Sequence, residues 1–389
     1  MACSQNAFLS DLRSKPDIKT KTAAKDKQMS TSTVHRILAI NPGSTSTKVA
    51  LFENEALLLQ DTLRYDTEDL VSFDHVPDQY CFRRDTVLQW LEKNRIEVSG
   101  LDAVVGRGGL FGPLESGTYA VNQAMLKEMR AIGPRQHASN LGVLIADEIA
   151  GMADAQAFTV DPVTVDEMDD VARYSGLAQI QRQSIAHALN IKAVARRAAA
   201  DHFAEYRELN LVIAHLGGGV SVTAHRQGRM VDVSGALDAG PFSPERSGSL
   251  PLLEVVELCC AGNFTPEQIK KKLIGQGGLV SYLGTNSAIE VGRRIAGGDS
   301  EALEVAQAMA YQVAKEIGAM ATVLNGAVDA ILLTGGVAHW SDMVDWIRDR
   351  VGFIATVWVY PGEDEMLALV EGALRVLRGG EEARQYVPK

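Results

Sequence analysis

Cysteine is scarce in this chain of 389 residues, and the few present form no pattern. Cys3, Cys81, Cys259 and Cys260 contain no CxxC pair, and two are adjacent, which argues against a disulfide framework or a cysteine zinc site. A reducing compartment, the cytoplasm, is expected. There is no apolar run long enough to span a membrane and no h-region of a signal peptide. Positive charge is also short: 38 Lys and Arg face 49 Asp and Glu, a net charge of −11. That balance argues against a nucleic acid or an anionic membrane as partner. A phosphate-bearing ligand must then be held by local donors and a metal ion. The length suits two domains, and 46% hydrophobic with 22% charged residues describes an ordinary globular protein.

Residues 1–33 lack hydrophobic periodicity and carry Lys15, Lys19, Lys21, Lys25 and Lys27. They read as a disordered extension, with Met29 as an alternative start.

The stretch around which the chain is organised runs from Ile37 to Phe52. An apolar run stops at Asn41-Pro42-Gly43, the hydroxyl residues Ser44-Thr45-Ser46-Thr47 and Lys48 follow, and a second apolar run begins. This predicts a β-hairpin whose turn offers hydroxyls, backbone N–H groups and an ammonium to a phosphate. A Ser/Thr-rich surface hairpin is the plainer alternative. The stretch is not a Walker A loop, because Thr47 stands where the second glycine belongs and a strand, not a helix, follows.

Residues 55–64 extend the hairpin as a strand, and 84–94 read as a helix. Residues 101–105 form a short strand entering Gly106-Arg107-Gly108-Gly109. Helical spacing covers 135–152. A strand over 157–160 ends at Asp161-Pro162, putting a carboxylate at a sheet edge where α/β folds bind ligands; an ordinary Asp-Pro turn has the same sequence. Residues 178–205 read as one long helix carrying His187, and a lone helix histidine is often structural. At 211–223 a strand enters His215-Leu216-Gly217-Gly218-Gly219 and a strand leaves it, repeating the first hairpin like an internal duplication. Pro241 to Ser249 is a loop that presents Arg246. Residues 251–300 read as a small helical insertion, and 301–324 as a long helix. A strand at 330–333 meets Thr334-Gly335-Gly336, and Glu363-Asp364-Glu365 opens the last helix, 367–377.

In this order, the two turns, the strand-end aspartate and the Gly-Gly turn resemble the actin-like ATPase fold. Within it the chain resembles the acetokinase family, on the side of its butyrate-type members. Further stretches carry the likeness: His137-Ala138-Ser139-Asn140, Arg173-Tyr174-Ser175-Gly176-Leu177, His187-Ala188-Leu189-Asn190 and Pro244-Glu245-Arg246-Ser247-Gly248. The resemblance implies an α/β fold of two duplicated actin-like (ribonuclease H-like) domains with nucleotide between them. The expected domains are 34–205 and 206–377, followed by a tail at 378–389.

The implied reaction is reversible, ATP-dependent phosphorylation of a short-chain carboxylate. Butyrate is the first expectation; acetate, propionate or a branched acid is the alternative. Catalytic roles pass to Arg246, Asp161, Arg107 and His187. Phosphate and ATP contacts pass to Asn41, Ser44, Thr45, Ser46, Lys48, His215, Gly217, Gly218, Gly219, Thr334, Gly335 and Gly336. Mg²⁺ would involve one of Glu363, Asp364 and Glu365, and a homo-oligomer is implied. Departures at Phe111-Gly112 and His339-Trp340 bear on acyl-chain choice and nucleotide fit.

The chemistry agrees with this inventory. A carboxylate, with a pKa of about 4, is already a nucleophile at neutral pH, so no general base is needed. A sugar kinase or phosphatase of the same fold would need one, and Asp161 is its candidate. A nucleotide-dependent binding protein would need a further interaction domain, for which the chain has no length left.

Overall fold

Asn41-Pro42 ends one strand and Ser46 starts the next, so the opening residues fold back on themselves as their turn chemistry requires. The structure, a computed structural model, describes residues 33–131, 137–235, 237 and 239–388. The extension expected over 1–33 lies outside these apart from its last residue, as do residues 135–136 of the expected helix.

In chain order the first part comprises β1 (Arg36–Pro42), β2 (Ser46–Glu53), β3 (Ala56–Arg64), α1 (Thr67–Val71), α2 (Tyr80–Lys93), β4 (Ala103–Gly106), β5 (Thr118–Ala120), α3 (Gln123–Arg130), α4 (Asn140–Ala153) and β6 (Gln156–Val160). A ribbon of β7 (Tyr174–Leu177) and β8 (Ile180–Gln181) precedes α5 (Ala188–Asp201). Then follow β9 (Asn210–Leu216), β10 (Val220–Arg226) and β11 (Arg229–Val233). Four helices come next: α6 (Leu252–Cys260), α7 (Pro266–Leu273), α8 (Gly278–Leu283) and α9 (Ala288–Ala296). The chain closes with α10 (Ser300–Val323), β12 (Ala330–Gly335), α11 (Ser341–Val351), β13 (Thr356–Pro361), α12 (Glu365–Leu377) and β14 (Arg384–Gln385).

The first sheet runs β14-β5-β6-β4-β1-β2-β3 and the second β11-β10-β9-β12-β13. In each, an antiparallel three-strand meander is joined by parallel strands beside its first member. The duplication expected from the two hairpins is thus present in the strand order. Helices cover both faces of each sheet, which is why β1, β4, β9 and β12 are apolar along their length.

Two helices pack across the expected domain boundaries. Ile191, Val194 and Ala198 of α5 bury against Leu211, Ile213 and Leu332 of the second sheet. Leu369, Val370 and Ala373 of α12 bury against Ile37, Ala39 and Val105 of the first. Each leucine, isoleucine or valine among them contributes about 1.5–3 kcal/mol. Gly372 lets α12 sit on Val160, where a Cβ would collide. The expected tail also returns to the first sheet, since β14 pairs with β5.

The long helix expected over 178–205 is shorter. Residues 178–187 form the end of the β7–β8 ribbon and a loop, and His187 is the N-cap of α5 rather than a mid-helix residue. Gly176, with φ +100°, turns the ribbon back, so Ile180 and Ile185 serve a strand and a loop.

Candidate active site

Parallel pairing of β1 and β4 sets Ile40 beside Gly106, so Asn41 and Arg107 leave the sheet as neighbours. Gly106 and Gly142 allow β4 and α4 to touch backbone to backbone, which fixes the exit direction of Arg107. From the far end of the chain Glu365, the first residue of α12, reaches both. Asn41 Nδ2 donates to its Oε2 at 2.7 Å, and Arg107 Nη1 donates to its Oε1.

The three consecutive acids are thereby sorted. Glu365 faces the Asn41 and Arg107 side chains. Glu363 Oε1 lies 3.2 Å from His215 Nε2. Asp364 turns outward to Arg197 at 3.3 Å. The His215 ring, then the Gly336 N–H and Arg107, hold the Glu363 carboxyl below its usual range against the opposing effect of burial. His215 Nε2 approaches Glu363 Oε1 without the alignment of a full hydrogen bond.

The second half supplies the opposite wall. His187 stacks on His215, ring centroids 4.0 Å apart, and its Nδ1 is 2.8 Å from Ser221 Oγ. Burial, followed by repulsion from His215, Arg246 and Arg107, pushes its pKa well below 6.5. Asn190 Oδ1 lies 2.8 Å from His215 Nδ1 and accepts from the Thr334 hydroxyl at 3.3 Å. Asn190 therefore ties β9 to β12.

Gly217, Gly218 and Gly219 have no positive φ; what two of them supply is room. A Cβ on Gly217 would stand 2.7 Å from Glu363 Oε1, and one on Gly219 would overlap the Arg246 guanidinium. Gly218 is exposed, and a Cβ there would meet nothing nearer than 3.4 Å. The Arg246 loop is tied to the same turn: Ser243 Oγ donates to Gly218 O at 2.6 Å and accepts the Arg246 N–H at 3.1 Å. Burial lowers the Arg246 pKa from its usual value, with Glu245 opposing, and an arginine remains charged under such a shift.

These groups converge on a cavity of about 530 Å³. Its polar lining includes Asn41, Lys48, Arg107, His187, Arg246 and Glu365, with Gly43 and Ser46 of the first turn. Leu110, Val163, Ile185 and Leu237 add apolar lining. Among the expected site residues, Ser44 and Thr45 lie on the outer part of the turn. His215 stacks on His187, Gly217 stands against Glu363 and His215, Gly219 stands against the Arg246 guanidinium, and Gly218 is exposed. Thr334 is buried, Gly335 is paired with Gly362, and Gly336 is open.

Asp161 is elsewhere. It does not line the cavity, is 1% exposed, accepts the Gly117 N–H at 2.7 Å and pairs with Arg196 at 3.1 Å.

Three contributors were not singled out as site residues. His137 lines the cavity, its pKa lowered by burial and by Arg107 and Arg83. Asn190 and Arg83 act from beneath the surface. His137 and Asn190 lie inside stretches already recognised, so their polar character near a turn was the available signal. For Arg83, on an ordinary helix, there was none.

Residues 177–353 match a family model described as the acetokinase family. The chain is 52% identical over 352 residues to butyrate kinase 2 of Clostridium acetobutylicum, spanning 90% of this chain and 99% of that protein. Among solved structures it is similar to an acetate kinase from Porphyromonas gingivalis, at 18% identity and a TM-score of 0.72, covering 87% of this chain and 99% of that one. A propionate kinase from Francisella tularensis gives 20% identity and 0.70, covering 87% and 98%. At such identities the structures speak for the shared actin-like fold.

Proposed function

The chain belongs to the acetokinase family, and on that premise we propose that it moves the γ-phosphoryl group of ATP to butyrate or a close short-chain homologue. The products are an acyl phosphate and ADP, and the reaction is reversible. One observation carries the assignment of the site: Arg107 and Arg246, from opposite halves of the fold, line one cavity together with the apolar Leu110, Val163, Ile185 and Leu237. That pairing suits an anionic head with a short alkyl tail.

A carboxylate oxygen attacks the γ-phosphorus in line as the bond from phosphorus to the β,γ-bridging oxygen breaks, and ADP leaves with that electron pair. No proton need be removed from the nucleophile. The barrier lies in bringing two anions together and spreading charge over the transferred oxygens. The planar forks of Arg107 and Arg246 meet that need, and each can bridge carboxylate and phosphoryl oxygens. Neutral His187 can donate one hydrogen bond to a phosphoryl oxygen when its Nδ1 accepts from Ser221. Asn41, Lys48 and the turn N–H groups hold the phosphates from the first half, and the 217–219 turn supports them from the second.

The carboxylates of Glu365 and Glu363 are hard oxygen donors that would hold Mg²⁺ beside the ATP phosphates. Among the described residues no group of three or more His, Cys, Asp or Glu that could hold a metal ion is present. When bound, Mg²⁺ supplies further neutralisation of phosphate charge. No helix among the described residues is long and apolar enough to cross a membrane. A cytoplasmic homo-oligomer belongs to the same reading.

The test is formation of hydroxamate from butyrate with ATP, Mg²⁺ and hydroxylamine. ADP release with glycerol, and no hydroxamate from butyrate, would favour a hydroxyl acceptor, but Asp161, the base that acceptor requires, is paired with Arg196 outside the cavity.

A further inference from the structure

Arg83, on α2, is 0% exposed, and among the described residues no carboxylate pairs with it. Burying a cation without a counter-ion costs several kcal/mol unless strong hydrogen bonds replace the lost water. Arg83 spends its donors on one feature. Nη1 donates to Gly43 O at 2.8 Å and Ser46 O at 3.3 Å, and Nη2 to Ser44 O at 3.0 Å. Nε is held by Gln79 Oε1 at 3.0 Å, and the guanidinium carbon lies 4.7 Å from the Tyr65 ring centroid.

In a trans peptide the C=O and the following N–H point opposite ways. With the Gly43 and Ser44 carbonyls drawn down onto Arg83, the N–H groups of Ser44 and Thr45 are turned away from it, toward the exposed side of the turn. Neither N–H has an acceptor among the described residues. Two adjacent free N–H groups at such a turn are an anion-binding arrangement. The charge of Arg83 also reaches the cavity, since it contributes to the lowered pKa of His137 there.

We propose that Arg83 is a positioning residue for phosphoryl transfer: its buried fork sets the peptide planes of the 43–46 turn so that the Ser44 and Thr45 N–H groups receive phosphate oxygens. Its charge adds to the positive potential behind them. The proposal rests on the kinase reading given above. Arg83 never touches substrate; it acts through the turn.

The experiment compares Arg83→Met, Arg83→Lys and Val87→Ala, the last a destabilising control at a buried apolar position on the same helix. Melting temperature is measured with hydroxamate kinetics in which ATP and butyrate are varied separately. Arg83→Met is expected to lower kcat/KM for ATP roughly 10- to 100-fold, with the butyrate KM within about twofold of wild type. Arg83→Lys, keeping the charge but not the fork, should recover part of the loss and fold even where the Met variant does not. Val87→Ala should lose melting temperature with its ATP constants unmoved.

If both Arg83 variants match Val87→Ala in kinetics, Arg83 is a structural residue only and the proposal is wrong. Wild-type protein that forms no hydroxamate at all overturns the kinase reading and this proposal with it. Active wild type with kinetically silent Arg83 variants overturns the second alone.

Discussion

The guanidinium of Arg246 occupies the space a Cβ on Gly219 would need. The third glycine of the 217–219 turn is therefore a clearance for the arginine as much as a part of a nucleotide loop. Gly219→Ala should push Arg246 off its path into the cavity, and Arg246→Ala removes the group outright. Both are expected to lower kcat by about 10³-fold, on the order of 4 kcal/mol, as for other phosphoryl-transfer arginines. Because they abolish the same interaction, the double variant should be little worse than either single one. Losses that multiply in the double variant would show that Gly219 serves ATP independently. Arg246→Lys should regain only part, since an ammonium lacks the fork.

Gly218 offers the complementary case. Its φ is not positive and a Cβ there meets nothing nearer than 3.4 Å, so Gly218→Val should still fold. A weakened ATP affinity in calorimetry would then report close ligand approach and not backbone strain. Unchanged affinity would remove this exposed glycine from the nucleotide site.

Both hairpins, the duplication and the Arg246 loop were legible because turn residues and apolar runs mark them locally. The shortening of α5 was not. Residues 178–187 have helix-compatible apolar spacing, and the ribbon that claims them is set by Gly176 and by pairing of Ile180 with Leu177. The packing of α12 on the first sheet was hidden for a similar reason, because which sheet receives an apolar helix face is a long-range matter. Sequence alone also left Glu363, Asp364 and Glu365 equivalent. Only the start of α12, placed against Asn41 and Arg107, separates them.

That separation predicts three different outcomes. Glu365→Gln should cut kcat by about 10²-fold or more and raise the Mg²⁺ concentration needed for half-maximal rate. Glu363→Gln should act mainly on nucleotide affinity, through His215 and the 217–219 turn. Asp364→Asn should be near neutral, its exposed pair with Arg197 contributing about 0–1 kcal/mol. A Mg²⁺ titration of each variant checks the order. A strong effect at Asp364 with none at Glu365 would reverse it.

His187 is neutral across the working range, because burial and the surrounding cations depress its pKa well below 6.5. The profile of kcat/KM against pH should therefore show no His187 inflection near 6.5, and one that vanished in His187→Gln would contradict the assignment. Stability follows the same sign. His187 and the buried His225 both have lowered native pKa values, so below about pH 6.5 the unfolded chain binds protons that the native state refuses. Their contribution is intact above that pH and is lost as the solution becomes more acid. The carboxyls of Glu316 and Glu371, raised above 4.5 by burial, work in the opposite direction at lower pH. Melting temperature should thus fall between pH 7.5 and 5.5, and a rise over that interval would contradict the histidine account.

Acyl-chain choice falls to the apolar lining of the cavity, Leu110, Val163, Ile185 and Leu237. Leu110 is rigidly placed, its N–H held by Asn140 Oδ1 at 2.9 Å, whereas Ile185 sits on the loop that leads into α5. A larger side chain on that loop should intrude on the alkyl tail and leave the carboxylate-binding groups alone. Ile185→Phe is expected to lower kcat/KM for butyrate roughly tenfold or more while acetate, two methylenes shorter, loses much less. Each methylene is worth about 1–3 kcal/mol of discrimination, so the ratio between the acids should move by at least that factor. Leu110→Ala should move it the other way, toward five-carbon acids. The measurement is kcat/KM for acetate, propionate, butyrate and pentanoate with each variant, at saturating ATP. Equal losses for all four acids would mean that Ile185 shapes the reacting end of the site, and the tail would then have to lie along Val163 and Leu237.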